Sequence, residues 1–411
     1  MGSVKDPITA GRLYRPATFD RLGIGAWKVK GTFSVADLKH LIEQIEIRSK
    51  GPILAMTAGK YWEEAAKAGF QSSYLGMLDQ DGNITDVETL IDRGDLSDIV
   101  VMSLAMTPDY LGPLTTESRD EYHRAIASGE ITAYIADAEC IFRLGFPLGS
   151  STFKRLCTAA GVGDRYETVA TYSDTVALLD EVRAIPGVFE MPEVKKVLEA
   201  AGLDRIPNPG YVMDQPVMNF DTKFCPAGDQ PLTFKEAQES VSVDNLRWTA
   251  WLAELERNAI HQRDFDARYG IVCVDGKTEA MVVGGCPRFT DFANTIDENR
   301  LMVRYTAEGQ NWLLPTNKEL QRAVFRLLGV YAAKDEATRD WGDDWRDHLI
   351  SGGYITRQQL DEATAESVRL MEQAVATVGN RLLGHNVFDA RPIEEWAGDL
   401  LPYASLEEIA N

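Results

Sequence analysis

The chain has 411 residues, of which 26% are charged and 45% hydrophobic, and its formal net charge is −21 at pH 7. This length exceeds that of most single domains, and this composition is typical of a soluble globular protein. The acidic balance argues against a nucleic-acid-binding protein and against one that binds anionic membranes, because each needs a basic surface.

The cysteines and the N-terminal residues indicate the cell compartment. The five cysteines form no C-x-x-C pair, and the opening segment MGSVKDPITAG has no apolar core of a signal sequence. An odd number of cysteines without such a signal predicts free thiols and a cytoplasmic location. No histidines show H-x-x-x-H spacing, which argues against a zinc site, and no apolar run is long enough to span a membrane.

The first predicted elements are one strand and two helices, over 22–33, 35–47 and 61–69. In the strand, Lys28 and Lys30 alternate with apolar residues. Because alternate residues of a strand face the same way, both lysines are expected on one face.

The middle of the chain is less regular. A turn-rich stretch from 79 to about 130 is expected to be irregular over much of its length, apart from a strand predicted over 98–106. A second strand is predicted after it, over 132–142. Residues 166–206 have a helical pattern typical of a surface, with Ser173 as the expected cap of one helix.

Two long helices are predicted in the second half. One spans 244–270 and carries an apolar stripe at helical spacing, in which Trp248 and Trp251 are expected to pack in the core. The other spans 356–384 and is expected to end at Gly384.

The stretch 271-IVCVDGKTEAMVV-283 places Asp275, Lys277 and Glu279 on alternate positions of an apolar run. In an extended strand these three side chains face one side of the sheet. Two carboxylates around a lysine suit a metal–nucleotide site. The alternative is a hairpin, because Asp-Gly is a strong turn signal and the charges would then lie on an exposed turn.

A second candidate site follows Arg143, where Gly149, Ser150 and Ser151 form a turn that opens a predicted helix. A helix N terminus offers free backbone N–H groups and the positive end of the helix dipole, which suit a phosphate monoester. The alternative is an ordinary N-cap.

The order of these motifs resembles the SAICAR synthetases (phosphoribosylaminoimidazole-succinocarboxamide synthases). The matching stretches are Lys28-Val29-Lys30, 50-KGPILAMTAGKYWEEAAKAG-69, 139-ECIFRLGFPLGSSTFKRL-156, 223-KFCPAGDQP-231, the strand with Asp275, Lys277 and Glu279, and the series Asp291, Asp297 and Arg300. The resemblance extends over residues 19 to 390.

The resemblance implies an α+β, two-lobed, ATP-grasp-related fold. Residues 19–138 would form a small β-rich nucleotide lobe, with an insertion near 75–132. Residues 139–411 would form a larger mixed α/β lobe, with an insertion near 158–212.

The activity implied is that of an ATP-dependent amide ligase. Such an enzyme phosphorylates a carboxylate of a 5′-phosphoribosyl-azole and couples it to the amine of aspartate, giving a succinocarboxamide. ATP and Mg²⁺ are the implied cofactors, and a homo-oligomer is compatible with the resemblance.

The resemblance also assigns roles to residues. ATP would be contacted by Lys28, Lys30, Lys277 and Glu279. The substrate 5′-phosphate would be held by Arg143, Ser150, Ser151 and Arg300. The metal ligands would be Glu279 and Asp291, and the catalytic residues Lys223, Asp229, Lys277 and Asp275. Of these, Lys223 would neutralise the reacting centre and Asp229 would orient or deprotonate the amine.

Some positions depart from the family's pattern. Gly228 replaces the histidine before Asp229, Leu144 replaces an asparagine, Phe292 replaces an acid, and no Ser-Ala-x-Asp loop occurs between Phe33 and Gly51. The ligase would act in purine or nucleoside antibiotic biosynthesis, and these departures suggest a paralogue of the second kind, with a different azole or amine. A kinase-like activity that stops at phosphorylation and a non-catalytic binding protein derived from the ligase are two further hypotheses.

Overall fold

The structure is a computed structural model. It describes residues 14–19, 23–30, 33–36, 45–78, 84–94, 101–106, 116–166, 169, 171–225, 229–291, 293–316 and 318–409.

The strands of these regions are β1 Tyr14–Phe19, β2 Gly23–Lys30, β3 Phe33–Ala36, β4 Ile45–Arg48, β5 Tyr74–Leu78, β6 Ile84–Thr85, β7 Val101–Met106, β8 Ala133–Phe146, β9 Tyr211–Asp221, β10 Pro231–Leu232, β11 Ile271–Val283, β12 Cys286–Thr290, β13 Arg300–Ala307, β14 Gln310–Pro315, β15 Ser405–Leu406 and β16 Glu408–Ile409. The helices are α1 Lys50–Lys67, α2 Val87–Asp92, α3 Thr116–Ser128, α4 Ser151–Ala159, α5 Gly163–Tyr166, α6 Tyr172–Arg183, α7 Pro192–Ala200, α8 Phe234–Val241, α9 Asn245–Ala267, α10 Lys318–Leu327, α11 Val330–Trp341, α12 Trp345–His348, α13 Arg357–Leu383 and α14 Ala397–Leu400.

Two main sheets organise the molecule. The first has the strand order β1-β2-β7-β5-β6, and the second has the order β10-β9-β8-β11-β13-β14-β15, with β12 paired to β11 and β16 to β9. Neighbouring strands are antiparallel apart from the pair β16 and β9. Antiparallel sheets covered by helices confirm the α+β prediction.

One hydrophobic core joins α1, α9 and α13 to the sheets. It contains Trp62, Trp248, Trp251 and Phe289, and the ring centroids of Trp251 and Phe289 lie 4.5 Å apart. The packing role predicted for both tryptophans of α9 is therefore confirmed. The lobe boundary predicted after residue 138 falls inside β8. No helix in the described ranges is both long and apolar enough to cross a membrane.

A second hydrophobic core lies between α4, α6 and α7 and the adjoining ends of β8 and β9. Leu178, Leu179 and Val182 of α6 are buried in it. The helical pattern predicted over 166–206 is confirmed by α6 and α7, and most of their residues are exposed or half-buried, but one face of each helix packs in this core. The predicted cap is wrong, since Thr171 caps α6 by accepting a hydrogen bond from Asp174 N at 3.2 Å.

Some local predictions are wrong near the N terminus. The helix predicted over 35–47 is replaced at its two ends by β3 and β4, which pair with each other, while 37–44 lie outside the described residues. The β-branched residues there favour strands, and Ile47 is fully buried. The helix predicted over 61–69 begins earlier, at Lys50. The region 79–130, predicted to be irregular apart from one strand, also contains α2 and α3.

The hairpin alternative at Asp275-Gly276 is wrong, because β11 runs through both residues. The turn lies instead at Gly284-Gly285, where φ is 56° and 75°. A glycine is needed at position 276, because the β-carbon of any other residue there would lie 2.4 Å from Asn299 Oδ1. The glycine thus marks a close approach within the sheet.

Candidate functional site

Two cross-strand rows of charged residues lie on the large sheet. Glu139 of β8 is paired with Asp221 of β9 on one side and with Glu279 of β11 on the other, and these three carboxylates form the acidic row. The second, the arginine row, consists of Arg143, Asp275 and Arg300, of β8, β11 and β13. The rows are four residues apart along β11, which is about 13 Å in an extended strand.

Lys277 lies between the rows and is surrounded by carboxylates. Its Nζ is 3.2 Å from Glu139 Oε2, 3.2 Å from Glu298 Oε2 and 3.7 Å from Glu279 Oε1. Burial lowers the pKa of Lys277, but these carboxylates outweigh it and raise the pKa above its usual range. Lys223 forms an ion pair with Glu279 from the other side. The site therefore places two ammonium groups among three carboxylates.

The loop that carries Lys223 is held by Asp137, two residues before Glu139 on β8. Asp137 accepts a hydrogen bond from Phe224 N at 2.8 Å, and its carboxylate also contacts Arg119 at 2.6 Å and His123 at 2.9 Å. Burial raises the pKa of Asp137, but these hydrogen bonds outweigh it and lower the pKa. An ionised Asp137 thus fixes the backbone beside Lys223.

Asp229, the predicted residue for the amine, is exposed and follows residues 226–228, which lie outside the described residues. Burial and the charge of Asp229 both raise the pKa of Asp221. The structure thus adds Asp221 to Asp229 as a candidate for contact with the amine.

Arg300 lies at the β13 end of the arginine row, next to Asp275. Its Nη1 lies 3.1 Å from Asp275 Oδ2 and its Nε lies 3.3 Å from Glu319 Oε1. Burial lowers the pKa of Arg300, but the two carboxylates outweigh it and raise the pKa. Its side chain is only 16% exposed, so its guanidinium is held in place on two sides.

Arg143 connects this row to the start of α4. It donates a hydrogen bond to Thr152 Oγ1, and burial lowers its pKa. Ser150 is buried and caps α4, its Oγ accepting a hydrogen bond from Thr152 N at 3.3 Å, whereas Ser151 is exposed. The N-cap alternative is therefore confirmed for Ser150, and the phosphate contacts stay a prediction.

The predicted metal ligands are neighbours across a strand pair. Glu279 is paired with Thr290, and Asp291 follows directly with φ 71°. The described ranges contain no group of three or more side chains placed to hold a metal. Mg²⁺ in nucleotide sites takes only one or two carboxylates, together with waters and phosphate oxygens, so the number and chemistry of these two ligands suit such a site.

Some predicted residues lie at or beyond the edge of what is described. Lys28 and Lys30 occupy alternate positions of β2, and their side chains lie outside the described part of the chain. Gly228 and Phe292, two of the residues that differ from the family's pattern, also lie outside the described part of the chain.

Asp297 forms an ion pair with the buried Lys50 at 2.6 Å, and this contact joins the start of α1 to the segment before Arg300.

A buried network of polar side chains joins α9 to the segment that precedes Arg300. Asp266 of α9 accepts a hydrogen bond from Asn294 at 2.7 Å, and Asn299 donates to Asn294 Oδ1 at 3.1 Å and to Gln262 at 2.7 Å. Burial raises the pKa of Asp266 well above its usual range, although the hydrogen bond from Asn294 lowers it. The folded Asp266 carboxyl therefore holds its proton to a higher pH than an exposed aspartate does.

We expect Asp266→Asn to flatten the pH dependence of stability. Between the unfolded-state and folded-state pKa values, only the folded carboxyl holds a proton, so stability falls as pH rises, by up to about 1.4 kcal/mol per unit. The variant lacks this pH-dependent term and should gain stability relative to wild type as the pH rises above the ordinary pKa of aspartate, from about pH 5 towards pH 8. Urea unfolding across this range measures it, with the exposed Asp264→Asn on the same helix as control. If the free energy of unfolding of wild type and of Asp266→Asn depended on pH in the same way, the prediction would be contradicted.

Sequence reasoning missed four carboxylates of the site, namely Asp221, Glu139, Glu298 and Glu319. Glu139 had a usable signal, because it lies four residues before Arg143 and so faces the same side of β8. Strand pairing brings Asp221 to the site and helix placement brings Glu319, and local spacing gives no signal for either. Glu298 lies in the turn segment two residues before Arg300.

Comparisons with known proteins give one relative over nearly the full length. The chain is 24% identical over 414 residues to "Putative phosphoribosylaminoimidazole-succinocarboxamide synthase" of Archaeoglobus fulgidus, and the match covers 97% of this chain and 98% of the relative. No family model matches the chain.

Similar solved structures carry related names. A SAICAR synthetase in complex with ADP has 13% identity, covers 80% of this chain and 96% of its own, and has a TM-score of 0.41. The Saccharomyces cerevisiae SAICAR synthase complexed with SAICAR has 13% identity, coverages of 90% and 95%, and a TM-score of 0.40. SAICAR synthetase from Pyrococcus horikoshii OT3 has 14% identity, coverages of 80% and 98%, and a TM-score of 0.39.

Proposed function

We infer that this chain, a homologue of the phosphoribosylaminoimidazole-succinocarboxamide synthases, is an ATP-dependent carboxylate–amine ligase. Its substrates would be a phosphoribosyl-azole carboxylate and aspartate, and its product a succinocarboxamide. The observation that carries the proposal is the pair of charged rows on one sheet, with Lys277 between them.

The reaction has two steps. A carboxylate oxygen attacks the γ-phosphorus of ATP, which gives an acyl phosphate and ADP. The amine of aspartate then attacks the acyl carbon, the C–O bond to phosphate breaks, and an amide, inorganic phosphate and a proton are released. Activation is needed because a carboxylate has no adequate leaving group, and the phosphoryl transfer depends mainly on positioning and charge neutralisation.

The acidic row and its lysines would serve the nucleotide end of the site. Lys277 and Lys223 supply positive charge among the carboxylates, and Glu279 and Asp291 supply the oxygen ligands that Mg²⁺ prefers. Mg²⁺, when bound, would neutralise the phosphate charge. Lys28 and Lys30 are proposed as further phosphate contacts.

The arginine row would serve the other end of the substrate. The planar guanidinium groups of Arg143 and Arg300 have the forked donors that suit a phosphate, and Ser151 stands exposed at the start of α4. The separation of about 13 Å between the rows allows the azole carboxylate to reach the nucleotide end while its phosphate lies at the arginine row.

The amine would enter near Asp229 and Asp221. A carboxylate within hydrogen-bond reach can orient an ammonium group and take its proton, and a raised pKa suits that task. We propose Asp229 as the first candidate and Asp221 as its partner.

The test is ADP release from Mg-ATP and carboxyaminoimidazole ribonucleotide, with and without aspartate, with products followed by mass. Aspartate-dependent formation of a succinocarboxamide is the expected result. ADP release without aspartate and without amide would indicate a kinase, and neither ADP nor amide with this pair would contradict the substrates proposed.

A paralogue with another azole or amine, as in nucleoside antibiotic biosynthesis, is the second candidate. It rests on the departures from the family's pattern, such as Gly228 in place of the histidine before Asp229. Assays with different ring carboxylates and different amino acids in the same format would distinguish it from the purine-type enzyme.

A further inference from the structure

Glu319, on the first turn of α10, contributes a buried carboxylate to the arginine row. Its Oε1 lies 3.3 Å from Arg300 Nε and 2.6 Å from Arg322 Nη1, and the residue is 6% exposed. Two arginines are thus already paired with an anion that belongs to the chain.

The same carboxylate lies against the turn that opens α4. A methyl group added to Gly149 would lie only 2.1 Å from Glu319 Oε2, so this oxygen packs directly over the turn. The cavity between Glu319, Gly149 and Arg326 has a volume of about 10 Å³, which is room for one water molecule. A phosphate between Arg300 and the start of α4 would therefore have to take the place of this carboxylate.

We propose that the carboxylate of Glu319 competes with the phosphate group of the substrate for Arg300 and the start of α4, and so sets the affinity of this site for phosphate. This inference rests on the proposed function, in which the substrate carries that phosphate. Binding of the phosphate displaces Glu319, and the residue thereby weakens binding of every phosphate ester at this end of the site.

The charges and the hydrogen-bond donors agree with a competition. Arg300 lies between Asp275 and Glu319, so an incoming phosphate meets two carboxylates, and like charges at short range oppose binding. Arg143 Nε is buried and forms no hydrogen bond in the described part of the chain. Such a donor is costly to leave unpaired and remains for a phosphate oxygen.

The test measures binding of ribose 5-phosphate by calorimetry to wild type, Glu319→Gln and Glu319→Asp. The amide of glutamine keeps the size of the side chain but removes its charge, so Glu319→Gln should bind ribose 5-phosphate about tenfold more tightly. The aspartate variant keeps the charge but withdraws it by one methylene, so a smaller gain of about threefold is expected. Uncharged ribose should bind all three proteins alike. Glu336→Gln, an exposed change on α11, is the matched control and should leave binding of ribose 5-phosphate unchanged.

Unchanged or weaker binding of ribose 5-phosphate in Glu319→Gln would overturn the proposal, because Glu319 would then only hold Arg300 in place. If Glu319→Gln does not fold, an absent gain in Glu319→Asp overturns it. No binding to any variant would also overturn it. Amide formation by wild type is scored separately, so the ligase can stand when the competition fails, and the competition can stand when the ligase fails.

Discussion

Glu279→Gln is expected to lower turnover by about 1000-fold while the protein stays folded, because it removes one charge from the centre of the nucleotide end. Glu279 pairs with Lys223 and lies 3.7 Å from Lys277, and it is a proposed Mg²⁺ ligand. The amide keeps the shape of the side chain but is a poor ligand for a hard cation and cannot balance two ammonium groups. Steady-state rates and the Mg²⁺ concentration for half-maximal rate measure the effect.

The control for this variant is Glu256→Gln, which makes the same chemical change on the exposed side of α9. It should leave turnover and Mg²⁺ dependence unchanged. Circular dichroism and thermal unfolding establish that Glu279→Gln is folded. Wild-type turnover in Glu279→Gln would remove Glu279 from the metal site and leave Lys277 and Lys223 as purely structural partners of the acidic row.

The elements that sequence reasoning predicted correctly have strong local signals. Thr356 forms a capping box with Gln359 at the start of α13, and Gly384 ends that helix with φ 74°. Asp244 caps α9 by accepting a hydrogen bond from Arg247 N. Such signals act within one turn of a helix and can be read without knowledge of the fold.

The failures arise where tertiary contacts override a local signal. Asp275-Gly276 reads as a turn, yet the glycine is required because Asn299 packs against it, 23 residues further along the chain. The pattern over 35–47 predicts a helix, yet residues 33–36 and 45–48 pair as strands. The contacts of Lys277 could not be predicted for the same reason. Glu139 lies 138 residues away in sequence and reaches Lys277 only through the pairing of β8 with β11.

Arg300→Lys is expected to raise the KM for the carboxylate substrate about 100-fold and to leave the KM for ATP nearly unchanged. Lysine keeps the positive charge between Asp275 and Glu319, so the two buried carboxylates keep a partner and the fold should tolerate the change. What lysine lacks is the planar fork of donors that can hold two oxygens of one phosphate, and 100-fold corresponds to about 2.7 kcal/mol for such a contact.

The matched control is Arg304→Lys, four residues along the same strand. Arg304 also pairs with a carboxylate, that of Glu407, with contacts of 2.5 to 3.1 Å, but it lies outside both charged rows. Arg304→Lys should change the stability of the protein slightly and leave both KM values unchanged.

A rise of both KM values in Arg300→Lys would show that the two rows do not act on separate ends of the substrates. An unchanged KM for the carboxylate substrate would remove Arg300 from the phosphate site. A selective rise, together with selective loss of Mg²⁺ response in Glu279→Gln, would instead mean that one sheet binds the two substrates about 13 Å apart along β11.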